Sequence, residues 1–255
     1  MIRPLSAAKV RYYRKLHQKK YRRQEGLFIV SGRRAVDEIM ASPLEVENLL
    51  VDARGHPGHY RGYDGPIYSV STQELKTISD VQTPQEVAAI VRIPQTLFDE
   101  TRPEGHLLYL ERINDPGNLG TIIRTAAWFG WKHLLLSHDS TDPYQPKTVR
   151  ATAGMIGYVD IISDCRTSTL QALKEKGYTL WGTDVNGGKD LKSINPRGRH
   201  LVMLGSEAHG LTGQAGALAD SRLYIKRQGH GESLNMAMAA GIIMHHFSRK
   251  EETGS

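Results

Sequence analysis

The sequence predicts an α/β protein in two parts, a small α/β unit at residues 1–94 and a larger unit around a buried parallel sheet at 106–255, joined by a linker at 95–105. Three observations predict it. Strand-length apolar runs alternate with helix-period segments along the whole chain. The runs at 107–110, 134–136 and 201–204 are apolar almost throughout, the pattern of parallel strands covered on both faces. Residues 94–105 break the alternation with acids, polar residues and two prolines, which suits a domain boundary.

Ahead of the first strand the chain carries Lys9, Arg11, Arg14, Lys15, Lys19, Lys20, Arg22 and Arg23, with Tyr12, Tyr13 and Tyr21 among them and no acid between Lys9 and Arg23. Clustered cations attract phosphates and interleaved aromatics stack on bases, so this segment reads as a nucleic-acid-binding arm. A solvated helix face is the alternative. Residues 26–30 then read as a strand, 33–41 as a helix and 46–51 as a strand. A polar loop at 54–66 precedes a strand at 67–70, a short helix at 72–79 and a closing strand at 87–93. From His106 the pattern restarts with a strand at 107–110, a turn at Asp115-Pro116-Gly117 and a helix at 119–129. A strand at 134–136, a helix at 149–156, a strand at 158–162 and a helix at 170–176 ended by Gly177 follow. Strands at 178–185, 201–204 and 223–225 complete the sheet. The last helix, 234–247, is apolar on every side, which predicts burial, and Ser233 before it is a good N-cap.

Composition narrows the function. A hydrophobic share of 39% with 25 glycines is that of a soluble globular protein, and the net charge of +6 is concentrated in the basic segment. The longest apolar stretch, 236–244, is less than half the ~20 residues needed to cross a bilayer. The basic N-terminus has no apolar core behind it, so no secretory signal is read there and a cytoplasmic location is expected. Cys165 is the only cysteine, which excludes an internal disulfide and any multi-cysteine metal site. The Gly229-x-Gly231-x-x-Leu234 stretch lacks the third glycine of a dinucleotide fingerprint. Residues 182–189 are one residue too long for a P-loop, and Asp190 stands where Ser or Thr is required. A nicotinamide enzyme and an NTPase are therefore unsupported, as is a zinc hydrolase, for want of His-Glu-x-x-His.

Three segments carry chemistry. The first runs from Asn114 to Ala127: Asn118 can cap its helix, and Arg124 lies among Ile122, Ile123 and Ala126, where a guanidinium needs a carboxylate, a carbonyl or a ligand phosphate. The second is a buried strand breaking into Gly205-Ser206-Glu207, at the position where open parallel sheets bind ligands. The third, from Gly229 to Ile242, passes through two glycines and an acid into Ser233-Leu234-Asn235, and a polar Asn235 in the first turn of a buried helix requires a partner. Singly, each has a structural alternative: Arg124 in an ion pair, Glu207 as a solvated acid, Ser233 as a cap only.

Together, in this order and spacing, the segments resemble the three motifs of the SpoU-type (TrmH-like) RNA ribose 2′-O-methyltransferases of the SPOUT superfamily. Asn118 to Arg124 resembles the first motif, Gly205 to Leu211 the second and Ile225 to Gly241 the third. The sequence departs from the pattern at Ser206, where asparagine is usual, at Lys226 and Arg227, where Pro and Met are common, and at Ser31, where an acid is usual. The resemblance implies a SPOUT domain with a deep trefoil knot, preceded by a small RNA-binding domain of ribosomal-protein type. It implies S-adenosylmethionine as cofactor, held by Gly205, Ile225, Leu234 and, fourth, Thr183, and a homodimer. Catalysis would fall to Arg124, helped by Ser233, with Asn118, Glu207 and Asn235 orienting Arg124 and the ribose, and without a metal. A guanidinium holds its proton across the physiological range, so Arg124 suits a phosphate or a developing alkoxide better than the role of base. The expected substrate is RNA, ribosomal RNA in preference to tRNA. A non-catalytic RNA-binding protein on the same fold, a base methyltransferase and a dinucleotide oxidoreductase are the alternatives.

Overall fold

The alternating apolar runs resolve into two separate sheets in a computed structural model of the chain, which describes residues 2–55, 57–60, 62–83, 86–95, 104–185, 187–206 and 209–249. One unit comprises Met1–Gln95 with Asp142–Tyr158; the other comprises Thr96–Thr141 with Val159–Ser255.

The first unit contains β1 (Arg3–Pro4), α1 (Ala7–Arg14), α2 (Lys19–Glu25), β2 (Leu27–Ser31), α3 (Arg33–Ala41), β3 (Val46–Asp52), β4 (Ile67–Val70), α4 (Thr72–Ser79) and β5 (Val87–Arg92). The strands order as β1-β4-β3-β5-β2, parallel from β1 to β3 and antiparallel from β3 to β2. α4 starts on a capping box in which Ser71 and Glu74 each satisfy the other's backbone N–H. The basic segment is a folded part of this unit. Tyr13 and Leu16 are buried in one core with Leu27, Leu50, Leu75 and Ile90, and the Tyr13 hydroxyl accepts from Asn48 Nδ2 at 3.0 Å. The basic arm is thus built of two short helices, each with a side chain buried in this unit.

The second unit begins with β6 (Leu107–Leu110), α5 (Pro116–Phe129) and β7 (His133–Ser137). The chain then contributes α6 (Pro146–Thr152) to the first unit. It continues through β8 (Asp160–Cys165), α7 (Thr167–Glu175), β9 (Thr179–Thr183), β10 (Lys189–Asp190), β11 (His200–Leu204), α8 (Gly213–Leu218), β12 (Ser221–Tyr224) and α9 (Met236–Phe247). All pairings in this sheet are parallel, in the order β10-β12-β9-β11-β6-β7-β8. Leu107, Tyr109, Leu201 and Met203 share a core with Leu170 and Leu173 of α7 and Ala215 of α8. Alternate residues Leu108, Leu110, Val202 and Leu204 turn to the opposite face and are equally buried. β6 leads to β7 on one side while β11 lies on its other side, so the order in which strands are added switches between β6 and β11.

Residues 142–158 depart from the sequence division. The boundary at 95–105 assigned them to the large unit, yet they pack with the small one. Arg22 pairs with Asp142, and Phe28 and Tyr144 have ring centroids 5.0 Å apart. Gly154, at φ +92°, approaches α3 so closely that a Cβ there would lie 2.6 Å from the Glu38 Cβ and 2.8 Å from the Ala35 carbonyl oxygen. The helix expected at 149–156 ends at Thr152 because Ala153 turns left-handed, at φ 52°. Most of the expected linker, 96–103, lies outside the described residues.

Candidate active site

Parallel registry gathers the carboxyl ends of four adjacent strands along one edge. Leu204 of β11 is opposite Leu110 of β6, Met203 is opposite Gly182 of β9, and Thr183 is opposite Leu223 of β12. Thr183, the last residue of β9, and Gly205 and Ile225, the first residues after β11 and β12, thus leave the sheet together. The switch between β6 and β11 falls within this group, and ligands bind at such a crevice beyond the carboxyl ends of the strands.

The two described ends of the loop after β11 are bonded to each other. Ser206 N–H donates to the Gly210 carbonyl at 3.0 Å and Gly210 N–H returns to the Ser206 carbonyl at 2.8 Å. A Cβ on Gly205 would lie 1.9 Å from the Gly210 carbonyl carbon, so only glycine fits. Glu207, between them, lies outside the described residues. The exit of the loop is held by Glu111, buried directly after β6: its two carboxylate oxygens accept from the Thr212 N–H at 2.6 Å and the Thr212 hydroxyl at 2.7 Å. Sequence reasoning did not single out Glu111. The available signal was an acid placed immediately after an apolar strand, where a ligand-facing loop begins.

The first and third segments meet through two amides. Asn235 Nδ2 donates to Asn118 Oδ1 at 3.0 Å, which joins α5 to the start of α9. Asn118 is not the cap expected of it: Asp115 caps α5, accepting from the Asn118 N–H at 2.7 Å, with Pro116 in the first turn. Nor does Ser233 cap α9. Asn235 does, accepting from the Ala237 and Met238 N–H groups, so the helix starts at Met236 and the carboxamide spans two segments. Ser233 and Leu234 stand exposed in the loop before it. Arg227 donates to the Gly231 carbonyl, which braces that loop where Gly231 adopts φ +119°.

Arg124 is exposed and has no hydrogen-bond or ion-pair partner among the described residues. The expectation of a packed guanidinium fails because α5 buries Leu119, Ile122, Ile123 and Ala126 on one face and turns Thr121, Arg124 and Trp128 outward. It sits six residues beyond Asn118, roughly 9 Å along the helix axis. α9 is likewise one-sided: Met236, Ala240, Ile243 and Phe247 are buried, while Met238 and Ile242 are exposed, which corrects the fully buried helix.

The basic residues divide into two kinds. Arg22 is 3% exposed, pairs with Asp142 and donates to the Leu16 and His17 carbonyls at 2.7 and 2.8 Å, so it holds the fold and is withdrawn from the RNA set. Arg11, Arg14, Lys15, Lys19, Lys20 and Arg23 are exposed, and half-buried Lys9 donates to the Tyr68 hydroxyl at 2.7 Å. Among the tyrosines, Tyr13 is committed to the core. Tyr12 donates to Glu25 at 2.6 Å, and burial followed by that bond pushes its phenol up to about 12. Half-buried Tyr21 has the Lys15 ammonium 5.4 Å from its ring centre.

A switch in strand order, a glycine that tolerates no side chain and paired amides on two helix starts gather at one end of a parallel sheet, the arrangement of an α/β enzyme. Residues 105–245 match the SpoU rRNA Methylase family and residues 7–89 the MRM3-like substrate binding domain. The chain belongs to the SpoU methylase family. It is 29% identical to the 23S rRNA (guanosine(2553)-2′-O)-methyltransferase of Bacillus subtilis over 94% of this chain and 95% of that one. A putative RNA methyltransferase of the TrmH family from Porphyromonas gingivalis has the same fold, with a TM-score of 0.83 and 31% identity over 95% of this chain and 98% of that one. An AdoMet-bound rRNA methyltransferase from Sinorhizobium meliloti superposes with a TM-score of 0.84 at 26% identity, covering 96% of each chain.

Proposed function

We propose that the protein transfers a methyl group from S-adenosylmethionine to a ribose 2′-hydroxyl of RNA, with ribosomal RNA the substrate in preference to tRNA. The observation that carries this reading is the Asn118–Asn235 bond, which joins the first and third motifs beside the sheet edge where Thr183, Gly205 and Ile225 emerge. These residues suit the cofactor. Gly205 keeps backbone groups open to close approach, while partly exposed Ile225 and Leu234 offer apolar surface to an adenine. When bound, S-adenosylmethionine supplies an electrophilic methyl on a sulfonium. Exposed and without a partner among the described residues, Arg124 can hold an RNA phosphate or the developing alkoxide, and loss of such a contact typically costs ~10²–10³ in rate. Asn118 and Asn235 hold each other in place, and Ser233 presents a hydroxyl to the ribose. Glu207 joins this group by its place in the second motif.

The exposed cations of α1 and α2 supply phosphate contacts for the substrate-binding unit. We assign a homodimer to the outward faces of α5 and α9, where Trp128, Met238 and Ile242 are 82%, 60% and 40% exposed, an apolar surface that self-association would cover. A trefoil knot formed by the chain after β11, and a cytoplasmic site of action, accompany this reading; no described helix is long and apolar enough to cross a membrane. The test is transfer of tritiated methyl groups to RNA followed by alkaline hydrolysis. Alkali-resistant dinucleotides are expected from the wild type and not from Arg124→Ala, with cofactor affinity retained. Label on a base, with no resistant product, contradicts the ribose assignment.

A further inference from the structure

Glu111 stands out among the buried polar groups. It is 6% exposed, and it has no cationic partner among the described residues. Both of its oxygens are given to one residue, Thr212, through the backbone N–H and the hydroxyl. Its own N–H donates to the Leu204 carbonyl at 2.8 Å, so the residue that grips the exit of the 205–211 loop is also bonded to the strand that enters it. A buried carboxylate without a counter-charge is costly to maintain, and charge-assisted hydrogen bonds are the strong kind. The next residue, Arg112, adopts a left-handed backbone at φ 55°, and its N–H is held by the Ser137 hydroxyl at 2.8 Å. The strand end is therefore fixed on both sides of Glu111, and non-glycine backbone of this kind persists only where its surroundings enforce it.

We infer that Glu111 is a positioning residue for the cofactor: by clamping Thr212 it holds the two described ends of the loop after β11, Gly205–Ser206 and Gly210–Leu211, against the end of β6 where the strand order switches. The inference rests on the methyltransferase reading and adds to it the element that preorganises the loop before any cofactor arrives. The loop already bonds to itself between Ser206 and Gly210. Leu211 packs against the core below the sheet, and the Glu111–Thr212 bonds add the polar tie between the exit of the loop and the end of β6.

The experiment uses the full chain carrying Glu111→Gln, Thr212→Val or Thr212→Ser. S-adenosylmethionine affinity is measured by calorimetry, and amide hydrogen exchange is followed in protein without cofactor. Glu111→Gln keeps the size and removes the charge that strengthens both bonds to Thr212, so affinity should fall about tenfold. Exchange should quicken at residues 205–212 and stay unchanged in β6 and β11. Thr212→Ser, which keeps both donors, should match the wild type. Glu111→Gln with wild-type affinity overturns the inference, as does exchange that quickens equally throughout β6 and β11, since Glu111 then only supports the fold. If Glu111→Gln does not fold, Thr212→Val decides: a folded variant with wild-type affinity and wild-type exchange at 205–212 overturns the clamp. Failure of the wild type itself to bind S-adenosylmethionine overturns the methyltransferase reading and this inference together.

Discussion

Arg22 and Arg14 lie on one basic segment and should behave oppositely when truncated. Arg22→Ala removes a buried guanidinium bonded to Asp142 through two nitrogens and to the Leu16 and His17 carbonyls. It leaves Asp142, 13% exposed, without its counter-charge and two carbonyls without donors. Breaking a buried pair in this way costs about 3–5 kcal/mol. Asp142 keeps the Tyr144 N–H at 2.9 Å and some contact with water, which places the loss at the lower end, about 3 kcal/mol. In a unit of this size each kcal/mol is worth about 4 °C, so the melting temperature should fall by about 12 °C. Arg14→Ala, on the exposed face, should change stability by less than about 0.5 kcal/mol. It should instead weaken RNA binding and flatten the slope of log affinity against log salt by about 0.7 to 0.9. Thermal melts and RNA titrations over a salt series, run on both variants, decide the matter. An Arg22→Ala protein that melts with the wild type yet binds RNA with a flattened salt slope would refute the division of the cations made here.

Two further outcomes follow from burial and charge. Ile242→Glu places a carboxylate on the outward face of α9 and should shift the protein from dimer to monomer in sedimentation without lowering its helix content; a wild-type dimer in that variant contradicts the assigned interface. At the opposite edge of the sheet, burial and then repulsion from His200 hold the His106 imidazole below its ordinary value, and burial does the same to His200, whose ring stacks 5.4 Å away. The fold thus favours the neutral rings. Their contribution is complete above the ordinary value of about 6.5 and declines as pH falls below it, because the unfolded chain binds protons first. Melts between about pH 8 and pH 5 should show this decline, and His106→Phe should flatten it; an unchanged slope removes His106 as its source.

How far the sequence disclosed this molecule depends on whether a feature is local. Apolar runs such as 107–110 and 201–204 became the central pair of the parallel sheet because nothing but a strand buried on both faces accommodates them. Local chemistry singled out Asn118, Gly205 and Asn235 but not their partners: the cap read at Asn118 belongs to Asp115, and the Asn118–Asn235 bond joins segments 117 residues apart. α8, with its sequence Gly-Gln-Ala-Gly-Ala-Leu, has neither length nor apolar period and was missed. Which cation of the basic segment is buried depends on Asp142, far along the chain, and so does the transfer of 142–158 to the first unit. The caps moved by a few residues because each helix start offers two residues with capping chemistry, Asp115 and Asn118 before α5 and Ser233 and Asn235 before α9, and burial of Met236 and Ala237 accompanies the later start of α9.

The central claim, that this chain methylates a ribose of ribosomal RNA through Arg124 and the paired amides, is tested most directly by mapping 2′-O-methylation across total RNA. The strains compared would lack the gene, carry it, or carry Arg124→Ala. The account predicts a ribose methyl group in ribosomal RNA that is missing without the gene, restored by the wild type and not restored by Arg124→Ala. A null strain that keeps every ribose methyl group, or loses only a methyl on a base, would contradict it.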